Sequence, residues 1–152
     1  MKTSEKGKQI IKIFEGLRLT PYKCPAGIWT IGYGHTAQMG AFRREYAITK
    51  EEALDLLEKD LKKIEEELAR NIDLSTVNQN QFDAFVSFIF NLGINNFNAS
   101  TIKKKHKEGH FKEAGDAFLM WIKARNSKGV LVPLEGLKKR RKMERDLYLG
   151  EV

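Results

Sequence analysis

Residues 14–36, FEGLRLTPYKCPAGIWTIGYGHT, decide the fold of this chain. An apolar helical run ends at Glu15, and Gly16 directly after it is a natural helix stop. Two runs of strand-forming residues, 17–22 and 28–33, flank a turn marked by Pro25 and Gly27. The segment therefore predicts the end of a helix followed by a β-hairpin.

The same segment is dense in reactive side chains: Glu15, Cys24, Thr30 and His35. Glu15 lies at a predicted helix C-terminus, where the helix dipole and burial beside aromatic residues both disfavour its anion. A carboxylic acid that keeps its proton near neutral pH is what a glycosidase needs to protonate a leaving oxygen. Position alone favours the other reading of Glu15, a surface glutamate at a frayed helix end.

Helices are predicted on both sides of this segment. Ser4 is the expected N-cap of a helix over 4–14. Downstream, a third short strand or a loop is predicted over roughly 38–48, and Thr49 with Glu52 then fits a capping box. Apolar residues follow at three–four spacing, which predicts one amphipathic helix over about 49–70: Leu54, Leu57, Leu61, Ile64 and Leu68.

The rest of the chain is predicted to be helical. The run that opens at 78–81 is apolar nearly all round as far as Leu92, which is typical of a buried central helix ended by Gly93. Shorter helices are predicted at about 100–108 and 111–123, and a last helix from Pro133 to about Leu149. A hairpin followed by helices predicts the α+β class.

Composition restricts the classes of protein further. The chain has 152 residues and one cysteine, so an internal disulfide is impossible. No apolar run approaches the ~20 residues of a membrane-spanning helix, and the N-terminus lacks a signal-peptide pattern. Residues 101–152 hold 14 Lys or Arg against 7 Asp or Glu and carry the whole net charge of +7. This excess indicates either an anionic partner or a solvated basic helix face.

Several strings are characteristic of one family. Glu15, Cys24 and Thr30 are spaced like the Glu–Asp–Thr set of phage lysozymes (endolysins), and FEGLRLTPY and GIWTIGYGHT resemble that family's signature strings. The likeness continues in ITKEEA at 48–53, FIFNLG at 88–93, Trp121, and a last helix carrying Gly136, Leu137, Arg140, Arg141 and Glu144. It covers nearly the whole chain.

The resemblance implies a single lysozyme domain over 1–152 with a cleft between two lobes. The N-terminal lobe would span about 13–50, the connecting helix about 49–70, and the helical lobe about 71–152 together with helix 4–14. The implied activity is hydrolysis of the β-1,4 bond between N-acetylmuramic acid and N-acetylglucosamine in peptidoglycan, without metal or cofactor. With neither signal nor anchor, a monomer would accumulate in the cytoplasm and reach the cell wall after release.

Cys24 departs from the usual family residue, which is Asp. A thiol is only a few per cent ionised at pH 7 in an ordinary environment, and a thioglycoside intermediate would leave poorly. We therefore expect Glu15 to act as the acid while Cys24 and Thr30 position the attacking water. A small buried thiol without a catalytic role is the alternative for Cys24.

Other site residues follow from positions that match the family. His35 is expected to form a structural ion pair with Asp60, while Thr36, Phe90 and Ser100 would line the sugar cleft. Phe90 lies in an aromatic-rich helix and also fits a core role. The run Lys138–Lys142 is assigned to attraction toward anionic cell walls, since it carries no nucleic-acid recognition motif; Arg140 or Arg141 could also reach Glu15.

Three other functions are compatible with the sequence. A lytic transglycosylase on the same fold needs a single Glu, so the loss of Asp at position 24 would matter less to it. A non-catalytic wall-binding protein would keep the fold and lose the chemistry. A nucleic-acid-binding role has the least support.

Overall fold

The computed structural model describes residues 1–24, 26–40 and 47–151, which form seven α-helices, two short 3₁₀ turns and two small sheets. The helices are α1 (Glu5–Glu15), α2 (Lys50–Asn71), α3 (Gln79–Leu92), α4 (Ile94–Ala99), α5 (Thr101–Lys107), α6 (Phe111–Ala117) and α7 (Glu135–Tyr148). The strands are β1 (Arg18–Lys23), β2 (Trp29–Gly32), β3 (His35–Thr36), β4 (Lys123–Arg125) and β5 (Leu131–Pro133). The predicted α+β class is confirmed.

Helix α1 begins and ends as predicted. The Ser4 side chain accepts a hydrogen bond from the Gly7 amide at the N-terminus, and Ser4 also donates to Asp83 on α3. At the other end Gly16 adopts φ 71° and its amide bonds to the Lys12 carbonyl. The stop at Gly16 leaves Glu15 as the last helical residue, next to the chain's entry into β1.

Strands β1, β2 and β3 form an antiparallel sheet in sequence order. In this register Thr30 on the central strand pairs with Tyr22 on one side and Thr36 on the other. The third strand lies earlier than the predicted 38–48: it is His35–Thr36, while residues 38–40 form a turn. Residues 41–46 of that prediction lie outside the described residues.

Helix α2 has the predicted capping box between Thr49 and Glu52 and spans 22 residues, about 33 Å. Its apolar stripe is buried from Leu57 to Leu68 and half-buried at Leu54, and Asp60 is buried within the same face. The helix contacts β2 and β3 on one side and α3 and α4 on the other. The division into two lobes stays a prediction.

Helix α3 is the centre of the core, as its sequence predicts, because every residue from Gln81 to Phe90 is buried. Aromatic rings close around it: Phe85 lies 4.9 Å from Phe97 and 5.5 Å from Tyr148 between ring centroids. Helix α7 packs against α3 and α1 from the other side. Burial of this apolar surface is the dominant stabilising contribution.

Two secondary-structure predictions for the helical part are wrong, and one short helix was not predicted. The helix predicted over 111–123 ends at Ala117 and is followed by a β-hairpin, β4–β5. Asn126 and Gly129 make its turn: the Asn126 carboxamide accepts from the Lys128 and Val130 amides, and Gly129 has φ 75°. The short helix α4 has no counterpart among the predicted helices, and α7 begins at Glu135, not at Pro133.

Candidate active-site cleft

A cleft of about 1400 Å³ contains most of the residues singled out in the sequence. One wall comes from the β1–β3 sheet and its turns, and α2 supplies Asp60, Lys63, Ile64 and Glu67. The opposite wall consists of the α3–α4 corner and the β4–β5 hairpin. Predicted site residues that line the cleft are Glu15, Cys24, Thr30, Thr36, Asp60 and Phe90.

Glu15 is held in the cleft from two sides. Its side chain is 16% exposed, and Arg140 Nη1 lies 3.2 Å from its Oε1. On the other side Gly34, with φ 73°, lies so close that a Cβ there would be 2.7 Å from Glu15 Oε2. Glycine suits this position, because a Cβ would displace the Glu15 carboxylate and any side chain would strain the backbone at this φ.

Arg140 is itself fixed by buried partners. Its Nε lies 3.3 Å from Glu144 Oε2, and its Nη2 donates to the Ser87 carbonyl at 3.1 Å. Burial raises the pKa of Glu144, although the two neighbouring arginines oppose that shift. The guanidinium therefore reaches Glu15 from a fixed position on α7.

Arg141 turns away from Glu15. Its Nε lies 3.1 Å from Glu144 Oε1, and its Nη2 donates to the Asn91 side chain, which lines the cleft. Burial lowers the pKa of Arg141 to about 10. Arg140 and Arg141 are thus both buried, and of the basic run assigned to wall attraction only Lys138, Lys139 and Lys142 face solvent.

Cys24 and Thr30 approach the cleft from neighbouring strands. Cys24 follows β1, is half-buried, and exchanges backbone hydrogen bonds with Gly27 and Ile28. Thr30 is 3% exposed, and its hydroxyl donates to the Ile28 carbonyl at 3.0 Å. Tyr22 pairs with Thr30 across the sheet, and its pKa is raised by burial and further by the charge of Glu15.

His35 joins the sheet to α2. Its Nδ1 lies 2.8 Å from Asp60 Oδ2, and both side chains are buried. Asp60 lines the cleft, and its carboxylate is hydrogen-bonded to His35. The contact between His35 and Asp60 ties β3 to α2, and the structural role of the pair stays a prediction.

The three residues expected to bind sugar are placed differently from one another. Thr36 and Phe90 line the cleft, although Phe90 is also 6% exposed and part of the core. Ser100 is buried and caps α5: its hydroxyl donates to the Phe97 carbonyl and accepts from the Lys103 amide. Ser100 is absent from the cleft-lining residues of the described chain, because the α4–α5 connection directs it into the helical packing.

Sequence reasoning found Phe90 on one wall of the cleft and missed the rest of that wall. The hairpin contributes Lys123, Arg125 and Asn126, and the α3–α4 corner contributes Asn95 and Asn96. The available signal was the turn-forming pair Asn126 and Gly129, which is also compatible with a connection between two helices.

Among the described residues, no cluster of three or more His, Cys, Asp or Glu side chains could hold a metal ion. None of the described helices is long and apolar enough to cross a membrane.

Comparison with known proteins identifies the family. The phage lysozyme family model matches residues 12–144. The endolysin of Acyrthosiphon pisum secondary endosymbiont phage 1 is 41% identical over 97% of this chain and 98% of its own length. A solved endolysin from Escherichia coli O157:H7 phage FAHEc1 matches with TM-score 0.89 and 39% identity, over 100% of this chain and 96% of that one. The muramidase domain of SpmX from Asticaccaulis excentricus matches with TM-score 0.86 and 40% identity, over 97% of both chains. The chain belongs to the phage lysozyme family and is a glycoside hydrolase.

Proposed function

We propose that this enzyme hydrolyses the β-1,4 bond between N-acetylmuramic acid and N-acetylglucosamine in bacterial peptidoglycan. Glu15 is the general acid, Cys24 and Thr30 position the attacking water, and Thr36 and Phe90 contact the glycan. The enzyme acts as a monomer on the cell wall. The observation that carries the proposal is that Glu15 lies in the same cleft as Cys24 and Thr30, held between Arg140 and Gly34.

The reaction needs one proton donor and one water. Glu15 gives its proton to the glycosidic oxygen, the bond from that oxygen to C1 breaks, and positive charge develops on the sugar. Water adds to C1, and the proton that it releases returns through solvent to Glu15. The Thr30 hydroxyl already donates to a backbone carbonyl, so its oxygen is free to accept from water.

The first test is a turbidity assay on permeabilised bacteria. Glu15→Gln keeps the size and polarity of the side chain and removes the transferable proton, so we expect lysis to fall by at least about 10²-fold. Glu66→Gln, at an exposed position on α2, is the matched control and should lyse at the parental rate. Lysis by Glu15→Gln at the parental rate would exclude Glu15 as the acid.

The role of Cys24 has its own test. If the thiol positions water, Cys24→Ala should lower turnover about tenfold or more, while Cys24→Ser retains more activity because a hydroxyl can bind the same water. Cys24→Asp shows whether a carboxylate at this position works as well. Full activity of Cys24→Ala would contradict the assigned role.

Product analysis separates hydrolysis from the transglycosylase alternative. That alternative is favoured by the cysteine at position 24, because the transglycosylase reaction needs only one carboxylic acid. A hydrolase leaves N-acetylmuramic acid with a free reducing end, whereas a lytic transglycosylase leaves the 1,6-anhydro sugar. Peptidoglycan binding without lysis, unchanged by Glu15→Gln, would indicate a non-catalytic wall-binding protein.

A further inference from the structure

The three-stranded sheet turns a tyrosine toward the cleft beside the two residues that the proposed function assigns to the attacking water. Tyr22 on β1 is the cross-strand partner of Thr30 on β2, and residues directly opposite each other across a sheet point to the same face. Cys24 lies two residues beyond Tyr22, which directs it to that face as well. All three side chains line the cleft. A phenol therefore stands next to the thiol and the hydroxyl.

Arg18 holds the ring of Tyr22. The guanidinium carbon of Arg18 lies 4.4 Å from the centroid of the Tyr22 ring, which is a cation–π contact. Tyr22 is half-buried, and its hydroxyl makes no hydrogen bond to any residue that the structure describes. The ring is thus held in place while the hydroxyl stays available to a molecule in the cleft.

Tyr22 keeps its own proton at neutral pH. Burial raises the pKa of the phenol, and the charge of Glu15 raises it further, although Arg18 opposes that shift. Because the usual pKa of tyrosine is already about 10, the side chain stays neutral. A neutral phenol is a poor nucleophile, but its oxygen accepts a hydrogen bond and its O–H donates one. Tyr22 is therefore suited to binding a water molecule and not to covalent chemistry.

The attacking water needs acceptors for both of its O–H groups, so that a lone pair faces C1 of the sugar. The Thr30 oxygen can accept one of them, because the Thr30 proton is already given to the Ile28 carbonyl. The sulfur of Cys24 is only a weak acceptor, whereas the carboxylate usual at this position would be a strong one. One O–H of the water is therefore weakly held if only Cys24 and Thr30 bind it.

We propose that the Tyr22 hydroxyl accepts this second O–H and, together with Thr30, directs the water at C1. The inference rests on the proposed function, because it adds one group to the water site of that reaction. As the water oxygen bonds to C1 and the bond from C1 to the glycosidic oxygen breaks, the water loses one proton to solvent and Tyr22 keeps its own. Tyr22 thereby takes over part of the task that a carboxylate at position 24 would perform.

Tyr22→Phe is the direct test, because it removes the hydroxyl and keeps the ring beside Arg18. Initial rates of lysis over a range of sacculus concentrations give kcat and KM. We expect kcat to fall about tenfold while KM changes by less than about twofold, because the lost hydrogen bond holds the water and not the glycan. Tyr33→Phe is the matched control. It removes a phenol hydroxyl from the same sheet region, at a core position outside the cleft-lining residues, and should keep both constants.

A second background separates a role in holding water from a role in folding. In Cys24→Asp the new carboxylate can hold the water by itself, so adding Tyr22→Phe should lower kcat by less than about threefold relative to Cys24→Asp alone. A tyrosine that only supports the strand would cost the same factor in both backgrounds.

A Tyr22→Phe variant with the parental kcat would overturn the inference, as would an equal loss of kcat in the two backgrounds. A raised KM at unchanged kcat would overturn it too, by making Tyr22 a contact of the glycan. Each of these results leaves lysis by the parental enzyme intact and so does not touch the proposed function. Failure of the parental enzyme to lyse sacculi would overturn the proposed function, and this inference with it.

Discussion

At the scale of single residues, the site depends on close approaches that side-chain identity alone does not reveal. Gly34 is the clearest case, because its backbone lies against the Glu15 carboxylate while its φ of 73° is one that side chains rarely adopt. The glycine in the string GYGHT therefore allows the sheet to pass beside the acid. Ser100 is a different case: the resemblance predicts that it binds sugar, and in the structure its side chain caps α5.

Gly34→Ala should displace Glu15 and lower kcat at least about tenfold, because the new methyl group overlaps the carboxylate. It should also destabilise the fold by about 1–2 kcal/mol through left-handed backbone strain. Gly109→Ala is the matched control: Gly109 has φ 80° and open space around its Cβ position. The control should lose similar stability and keep kcat; a loss of kcat in both variants would contradict the role of the Glu15 contact.

Ser100→Ala tests whether this residue caps a helix or binds sugar. Loss of the cap should reduce the free energy of unfolding by about 1 kcal/mol, with KM for peptidoglycan unchanged. Chemical denaturation and turbidity kinetics measure the two quantities separately. A raised KM at unchanged stability would restore the sugar-binding role.

At the scale of the elements, α7 does more than cover the core. Its exposed face carries lysines, while its inner face buries Arg140, Arg141 and Glu144 against α3. Removing charges from water is costly unless they are paired, and here the pairs extend from Glu144 through Arg140 to Glu15. The helix thereby couples core packing to the position of the acid.

Glu144→Leu should destabilise the protein by about 3–5 kcal/mol, because it leaves two buried arginines without their shared carboxylate. Adding Arg141→Met to it should recover part of that loss, since an apolar pair replaces a buried ion pair.

On the exposed face of α7, Lys142→Ala is the control. It breaks the Lys142–Asp146 pair at a cost of at most about 1 kcal/mol. Urea denaturation measures the free energy of unfolding of all three variants. If the losses from Glu144→Leu and Arg141→Met simply add in the double variant, the two residues are not coupled.

At the scale of the whole molecule, a buried histidine that does not line the cleft joins several elements of the helical part. His106 Nδ1 lies 2.7 Å from the Tyr148 hydroxyl, and its Nε2 lies 3.3 Å from the Thr76 hydroxyl. It packs edge-on against Phe85 at 5.2 Å between centroids. Burial lowers the pKa of His106, which favours its neutral form in the folded protein. The network joins α3, α5 and α7.

The lowered pKa predicts the direction of acid destabilisation. The unfolded chain binds a proton at His106 near its ordinary value of about 6.5, and the folded chain does so only at lower pH. The contribution of His106 to the free energy of unfolding is therefore fully present above about pH 6.5 and decreases as the pH falls below that value. Thermal melting should show Tm a few degrees lower at about pH 5 than at about pH 7.5.

His106→Gln should reduce the decrease in Tm between about pH 7.5 and about pH 5. His110→Gln, at an exposed position, should leave that decrease unchanged. Because carboxylates also titrate toward pH 5, the comparison is between variants at each pH and not between pH values alone. A parental slope that survives His106→Gln would assign the acid sensitivity to other groups.

The sequence by itself determined the local features: the caps at Ser4, Thr49 and Gly16, the apolar stripe of α2, the buried α3, and the spacing of Glu15, Cys24 and Thr30. These are readable because each depends on neighbours a few residues away. Only the tertiary structure decided that Arg140 and not Arg141 reaches Glu15 across 125 residues of chain, that Ser100 turns into the helical packing, and that the β4–β5 hairpin closes the cleft. Those outcomes depend on which distant parts of the chain pack together and which charged groups are buried next to one another. A local sequence pattern does not contain that information.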